Sequence, residues 1–436
     1  MYGVQGASYN HNHCNGMAME LYGLGEVMGI DAGTGPTYEH PLHVNYYSQW
    51  AAHNTVVAAG SSGSVPFSGS AGRKDIGKIE LAAMEPMPEK EAVSPLYSFT
   101  DTRYFEKSTG TNQMRTLALV RTSEKSGYYV DIFRSDNPVC NDYVYHNIGD
   151  DLTFMDTTRK PLSAEAASYP VRGKDHPGFR FFSEVKRLDN WSDNLIALFS
   201  AKDSRDEDIF MQVLLPGKKG RDYYQARSLK TRTSGKQYAG EKLPVFTMHD
   251  KGESLNNPFI AVFEPFRDRN GYNVQKISVE QRTDGSGFTA LNVYNLDLSK
   301  QVIFQSLDIK KTYASAGWSF CGYFGIAGLY DDKLSSLYLG KGKEIVYQGY
   351  KLSTYGTNGS ASLIRKVNSY YISCNQETEI ELPLTDVQKI TLVGQSGETE
   401  IQFISEGGRI RFKLQPVKDG EVRISIPDKG GLFSPE

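Results

Sequence analysis

The chain has 436 residues, a formal net charge of -3, a hydrophobic fraction of 39% and an aromatic fraction of 12%. That length suits two or three domains or one very large β domain, and the apolar share can build a packed core, which excludes intrinsic disorder. The near-balanced charge argues against a dedicated nucleic-acid binder, and no apolar run approaches the ~20 residues needed for a membrane-spanning helix.

In chain order, Met1-Tyr2-Gly3-Val4-Gln5-Gly6 lacks the basic and apolar regions of a secretory signal. The most loaded motif follows at once, a start that reads as the product of a truncation. Five of the eight histidines precede residue 54: His11, His13, His40, His43 and His53. The segment Tyr9-Asn10-His11-Asn12-His13-Cys14-Asn15-Gly16 leads into a strand-like Met17–Tyr22, a turn at Gly23–Glu26, and Val27–Gly33 with Asp31. His11 and His13, two apart on an extended segment, share a face. A hairpin on the 23–26 turn does not set His13 opposite Asp31. The Asn15-Gly16 turn signal lets the His-Asn-His segment fold back as a loop over the strand that carries Asp31.

Two imidazoles and a carboxylate are a donor set suited to zinc, and His13, Asp31 and His53 can supply it. Spacing alone leaves a second reading open, in which these are polar histidines bonded to backbone at a sheet edge. His40 and His43 read as loop residues, and Cys14 faces away from its neighbour His13. Tyr46, Tyr47 and Trp50 have ring faces suited to stacking on sugars or to filling a core. Arg73, Lys74 and Lys78 read as a solvated loop.

Farther on, Tyr128–Arg134, Lys276–Glu280 and Phe288–Tyr294 are short, rich in β-branched and aromatic residues, and bounded by turns, so they read as strands. The last two form a hairpin across Arg282–Gly287. No stretch sustains helical periodicity, and the chain reads as all-β. Cys14, Cys140, Cys321 and Cys374 form no CxxC pair and no disulfide framework, and Cys321 reads as a buried small hydrophobe. After Ser335 come five shorter alternating strands: Glu379–Leu382, Lys389–Val393, Glu400–Ile404, Arg409–Phe412 and Glu421–Ile426. They suggest a small antiparallel sandwich without site chemistry. The expected domains are 1–335 and 336–436.

His11-Asn12-His13, Glu20-Leu21-Tyr22, Gly25-Glu26, Asp31-Ala32-Gly33, Tyr46-Tyr47 and Ala52–Val57 together resemble the C-terminal β domain of heparinase II/III-like polysaccharide lyases. Tyr129–Arg134, Asp142–His146 and Ala261–Phe266 continue the resemblance in order, over roughly the first 330 residues. Tyr143 and His146 read as packing residues of such a strand. The resemblance implies a large antiparallel two-sheet β super-sandwich, here followed by the small C-terminal β-sandwich. It further implies one structural zinc ion on His13, Asp31 and His53, with His11 facing the catalytic cleft. In that family an N-terminal α/α toroid forms the other wall of the cleft and holds most of the catalytic groups. Its absence before Met1 is expected to leave the isolated chain without the main catalytic residues.

The implied reaction is β-elimination on an acidic, uronic-acid-containing polysaccharide: heparin or heparan sulfate, another glycosaminoglycan, or alginate. Tyr46 and Trp50 are the candidate substrate-stacking residues, and the implied location is periplasmic or secreted in a bacterium. The alternative is a carbohydrate-binding or structural β module without turnover.

Overall fold

The computed structural model describes residues 14–33, 35, 37, 40–61, 79–170, 178–189, 191–230, 242–280, 285, 287–394 and 397–426. The chain divides into two compact units, one of Met1–Ala82 with Thr100–Ile277, the other of Ala83–Phe99 with Ser278–Glu436. The architecture is all-β, as the sequence predicts.

The first unit opens with a hairpin of β1 (Leu21–Gly23) and β2 (Glu26–Gly29), joined through Leu24 and Gly25, both at positive φ. Turns of that hand match the twist of the flanking strands. The expected strand Met17–Tyr22 is therefore shorter than its apolar run suggests. Met17 sits at a φ of 57°, which breaks extension, and its side chain is buried in the core.

One sheet is formed by β3 (Val56–Ala58), β8 (Cys140–His146), β15 (Lys242–Lys251), β14 (Asp222–Leu229), β11 (Ser183–Leu188) and β10 (Glu165–Ala166), in that spatial order. The other runs β4 (Ile79–Glu85), β5 (Tyr97–Glu106), β6 (Thr111–Arg121), β7 (Gly127–Ser135), β16 (Phe259–Phe266), β13 (Asp208–Leu215), β12 (Leu195–Lys202) and β9 (Asp151–Met155). Their pairings are antiparallel wherever the register is defined.

The core lies between these sheets. Tyr145 of β8 meets Phe199 of β12 and Phe263 of β16, with ring centroids 5.7 and 4.7 Å apart. Tyr143 stands 5.8 Å from Phe259. The alternate face of β8, with Asp142, Val144 and His146, would be the wet face of a simple sandwich. Here it too is buried, with the His146 ring edge-on to Phe182 and the Tyr169 hydroxyl bonded to Asp142. A second covering layer thus turns polar strand positions into interior ones.

In the second unit, strands Phe288–Asn295, Ser299–Ser306, Trp318–Tyr330 and Lys333–Tyr347 pair in succession. The last of these runs through the expected boundary at 335/336, because Leu334 and Ser336 pair with Leu329 and Gly328 of the preceding strand. The boundary lies instead at residues 277/278, with 83–99 added to the second unit. Four of the five expected C-terminal strands occur close to their expected bounds, but Glu400–Ile404 is split between Gly397–Glu400 and Phe403–Glu406. Cys321 is buried, as its neighbours suggested.

Candidate functional site

His53 ends a one-turn 3₁₀ helix, Trp50–Ala52, and its extended backbone leads into β3. Asp31 follows β2 by two residues. The fold brings them together: His53 Nδ1 and Asp31 Oδ2 are 2.7 Å apart, with the imidazole fully buried and the carboxylate 16% exposed. The other carboxylate oxygen of Asp31 accepts the Gly33 amide at 2.9 Å. Gly33 has a φ of 71°, a conformation that glycine adopts without a Cβ penalty. The carboxylate is thus fixed from its own loop while its second oxygen faces the imidazole.

Imidazole nitrogen and carboxylate oxygen converging in a protected position fit a zinc donor set. His13, the third ligand expected, and His11, the expected cleft residue, lie outside the described residues. So do Arg73, Lys74 and Lys78. His43 is buried, with Nδ1 accepting the Gly35 amide at 3.2 Å, and His40 Nδ1 accepts the Leu42 amide. Both serve local chain geometry, in keeping with their reading as loop residues, although residues 43–47 form a short π-helical turn.

Three residues to which the sequence reading gave no part in the site hold this region in place. Asn54 is fully buried, and its amide donates to the carbonyls of Met19 and Ile30, each at 3.1 Å. Its oxygen accepts the His146 amide at 2.7 Å and His146 Nδ1 at 3.1 Å. His146 Nε2 accepts the Tyr46 hydroxyl at 3.4 Å. The imidazole is neutral in this arrangement. Burial, and then the neighbouring His53, push its pKa down to about 3, against the opposing pull of Asp31. Burial also raises the Tyr46 phenol well above its ordinary value.

Arg115 lies beneath the same segment. Its guanidinium pairs with Asp131 through two bonds of 2.9 and 2.6 Å and donates to the carbonyls of Met17 and Asn54 at 2.5 and 2.7 Å. Neither charged side chain is exposed, and Tyr143 adds a hydroxyl to Asp131 at 2.7 Å. The sequence signal for this clamp was faint: Arg115 and Asp131 occupy alternating strands where a solvated pair would look the same.

The candidate stacking residues require a correction. Tyr46 has no exposed surface and packs against Tyr47 and Phe181, with centroids 5.2 and 5.4 Å away. Trp50 is 3% exposed and lies 5.8 Å from Tyr104, and a Cβ at Gly16 would sit 2.9 Å from its ring. Both rings are core, with no face turned toward a sugar. An aromatic pair beside a histidine motif looks alike in sequence whether it lines a cleft or braces one.

Comparison with known proteins gives the lineage of this scaffold. Residues 2–126 match the family described as Heparinase II/III-like, C-terminal, and residues 276–365 match the endo-acting ulvan lyase C-terminal domain. Over its first part the chain thus resembles the heparinase II/III-like C-terminal domain family. It is 34% identical over 372 residues to an endo-acting ulvan lyase of Formosa agariphila, a match covering 80% of this chain and 44% of that protein. The chain therefore spans less than half the length of the curated relative. Among solved structures it is similar to a heparan sulfate lyase from Pedobacter heparinus, at 12% identity and a TM-score of 0.41, covering 68% of this chain and 37% of the other. A heparinase III structure gives 12% identity and a TM-score of 0.40, with 68% and 36% covered. No helix among the described residues is long and apolar enough to cross a membrane.

Proposed function

We propose that this chain is the β portion of a secreted or periplasmic polysaccharide lyase that cleaves a uronic-acid-containing polysaccharide by β-elimination. The observation that carries the reading is the 34% identity to an endo-acting ulvan lyase, sustained over 372 residues. It makes ulvan the first substrate to test, ahead of the heparan sulfate, other glycosaminoglycans and alginate that the sequence resemblance leaves open.

In the proposed reaction a base removes the C5 proton of the uronate, and the electron pair delocalises into the adjacent carboxylate. The C4–O bond then breaks with formation of the C4–C5 double bond, and an acid protonates the departing oxygen. The C5 proton is weakly acidic, so hydrogen bonds or positive charge must stabilise the developing carboxylate charge. His11 is assigned as one such partner to the substrate. The base and acid are assigned to the part of the lyase corresponding to the remainder of the relative, in a toroid-like domain. Zinc on His13, Asp31 and His53 would supply a structural brace. Asp31 and His53 anchor one side of this brace, while Asn54 and Arg115 hold the backbone at residues 17–19 and 54.

The test mixes the full gene product, and separately these 436 residues, with ulvan, heparan sulfate and alginate, and follows the ultraviolet absorbance of the unsaturated product. The full product is expected to act on ulvan and the isolated chain to show little turnover. In the full product, His11→Ala should lower kcat/KM by roughly 10²–10³-fold, the scale of one preorganised electrostatic contact. Binding of ulvan without any absorbance rise from the full product would favour the non-catalytic binding module instead.

A further inference from the structure

Away from Asp31 and His53, the pairing of β8 with β15 creates a cluster that sequence spacing conceals. Cys140 and Asp142 are two residues apart on β8 and so share one face. In the antiparallel register His249 of β15 lies directly opposite Asp142, and Lys251 lies opposite Cys140. A thiol sulfur, a carboxylate oxygen and an imidazole nitrogen therefore meet, all within 4.8 Å of one another. Asp142 and His249 are buried, and Cys140 is partly so.

The second observation concerns the carboxylate itself. Asp142 has no exposed surface. Its Oδ1 accepts the Tyr169 hydroxyl at 2.7 Å and faces His249 Nδ1 at 2.7 Å. Its Oδ2 is buried with no hydrogen-bond partner among the described residues. Buried carboxylates rarely leave an oxygen idle, because the lost hydration is not replaced. Asp222 of β14, opposite His249 on its other side, is paired with Arg187, and the Asp250 carboxylate is paired with Lys218 and Arg221. Asp142 is left as the inward acceptor.

We propose that Cys140, Asp142 and His249 bind a divalent ion of the zinc class, tying β8 to β15. Sulfur, nitrogen and oxygen donors together suit zinc and its thiophilic neighbours, whereas magnesium and calcium prefer oxygen alone. Three protein donors leave a fourth tetrahedral position for water. This site shares no residue with the His13–Asp31–His53 set, and its test is independent of any lyase activity.

The test uses the whole chain, stripped with a chelator and titrated with Co²⁺. A cobalt–thiolate bond gives a near-ultraviolet charge-transfer band, which a site of histidine and carboxylate lacks. The expected result is a saturable band that Zn²⁺ displaces. Cys140→Ser, a conservative change at a partly exposed position, should abolish the band without unfolding the chain. Cys14→Ser and His53→Ala should leave it in place. Asp142→Asn retains an acceptor for Tyr169, and should weaken Co²⁺ binding by at least about tenfold. Absence of the band, or its survival in folded Cys140→Ser protein, would overturn the assignment.

Discussion

Asp131→Ala removes the acid from a wholly buried ion pair and leaves the Arg115 guanidinium without its countercharge. Breaking a buried pair from one side costs about 3–5 kcal/mol, because the remaining charge stays desolvated. The Tyr143 hydroxyl loses its acceptor as well, adding to the loss. Domains are stable by about 5–15 kcal/mol, so this single change should remove about a fifth or more of the margin. At about 2–4 °C per kcal/mol for a unit of this size, the melting temperature should fall by roughly 6–20 °C. Urea denaturation measures the free energy, and hydrogen exchange locates it. Amides around residues 17–19 and 53–55 should lose protection first, since Arg115 also holds the carbonyls of Met17 and Asn54. The double variant Arg115→Met with Asp131→Leu removes both charges and should recover part of the stability. It should not recover protection at residues 17 and 54, whose carbonyls have lost their donor. A loss below about 1 kcal/mol for Asp131→Ala, with exchange unchanged near Asn54, would refute the clamp.

Three further outcomes follow from the first unit. His53→Ala should reduce bound zinc by about one equivalent and lower the melting temperature of zinc-loaded protein, read by metal analysis and calorimetry; equal stability of metal-free and metal-loaded parent protein would sink the brace. Burial raises the Asp101 carboxyl to about 6 despite the Thr116 hydroxyl, so the folded state retains its proton where the unfolded chain, near pH 4, releases it. Stability should therefore fall as pH rises from about 4 to 6, by up to about 3 kcal/mol, and Asp101→Asn should be more stabilising at pH 7.5 than at pH 4 in parallel urea titrations. Gly149→Ala places a Cβ 2.1 Å from the Ser200 carbonyl oxygen at a φ of 114°, so thermal unfolding should reveal a loss of about 2–4 kcal/mol.

The strand-rich composition, glycine-punctuated turns and lack of helical periodicity made the all-β class legible from sequence. Periodicity depends on neighbours a few residues apart, and Tyr128–Arg134 or Phe288–Tyr294 report it locally. The histidine motifs likewise singled out Asp31 and His53, whose side chains the fold joins across 22 positions. Other features required the third dimension. Whether Tyr46 and Trp50 face a cleft or the core depends on the layer above them, which no local pattern encodes. Asn54, His146 and Arg115 gain their roles because separate segments converge on them; in sequence each is an ordinary polar strand or turn residue. Cys140, Asp142 and His249 meet only through the register of β8 and β15, over a separation of more than a hundred residues. Local chemistry sets which strands can form, whereas pairing and burial decide which side chains share a site.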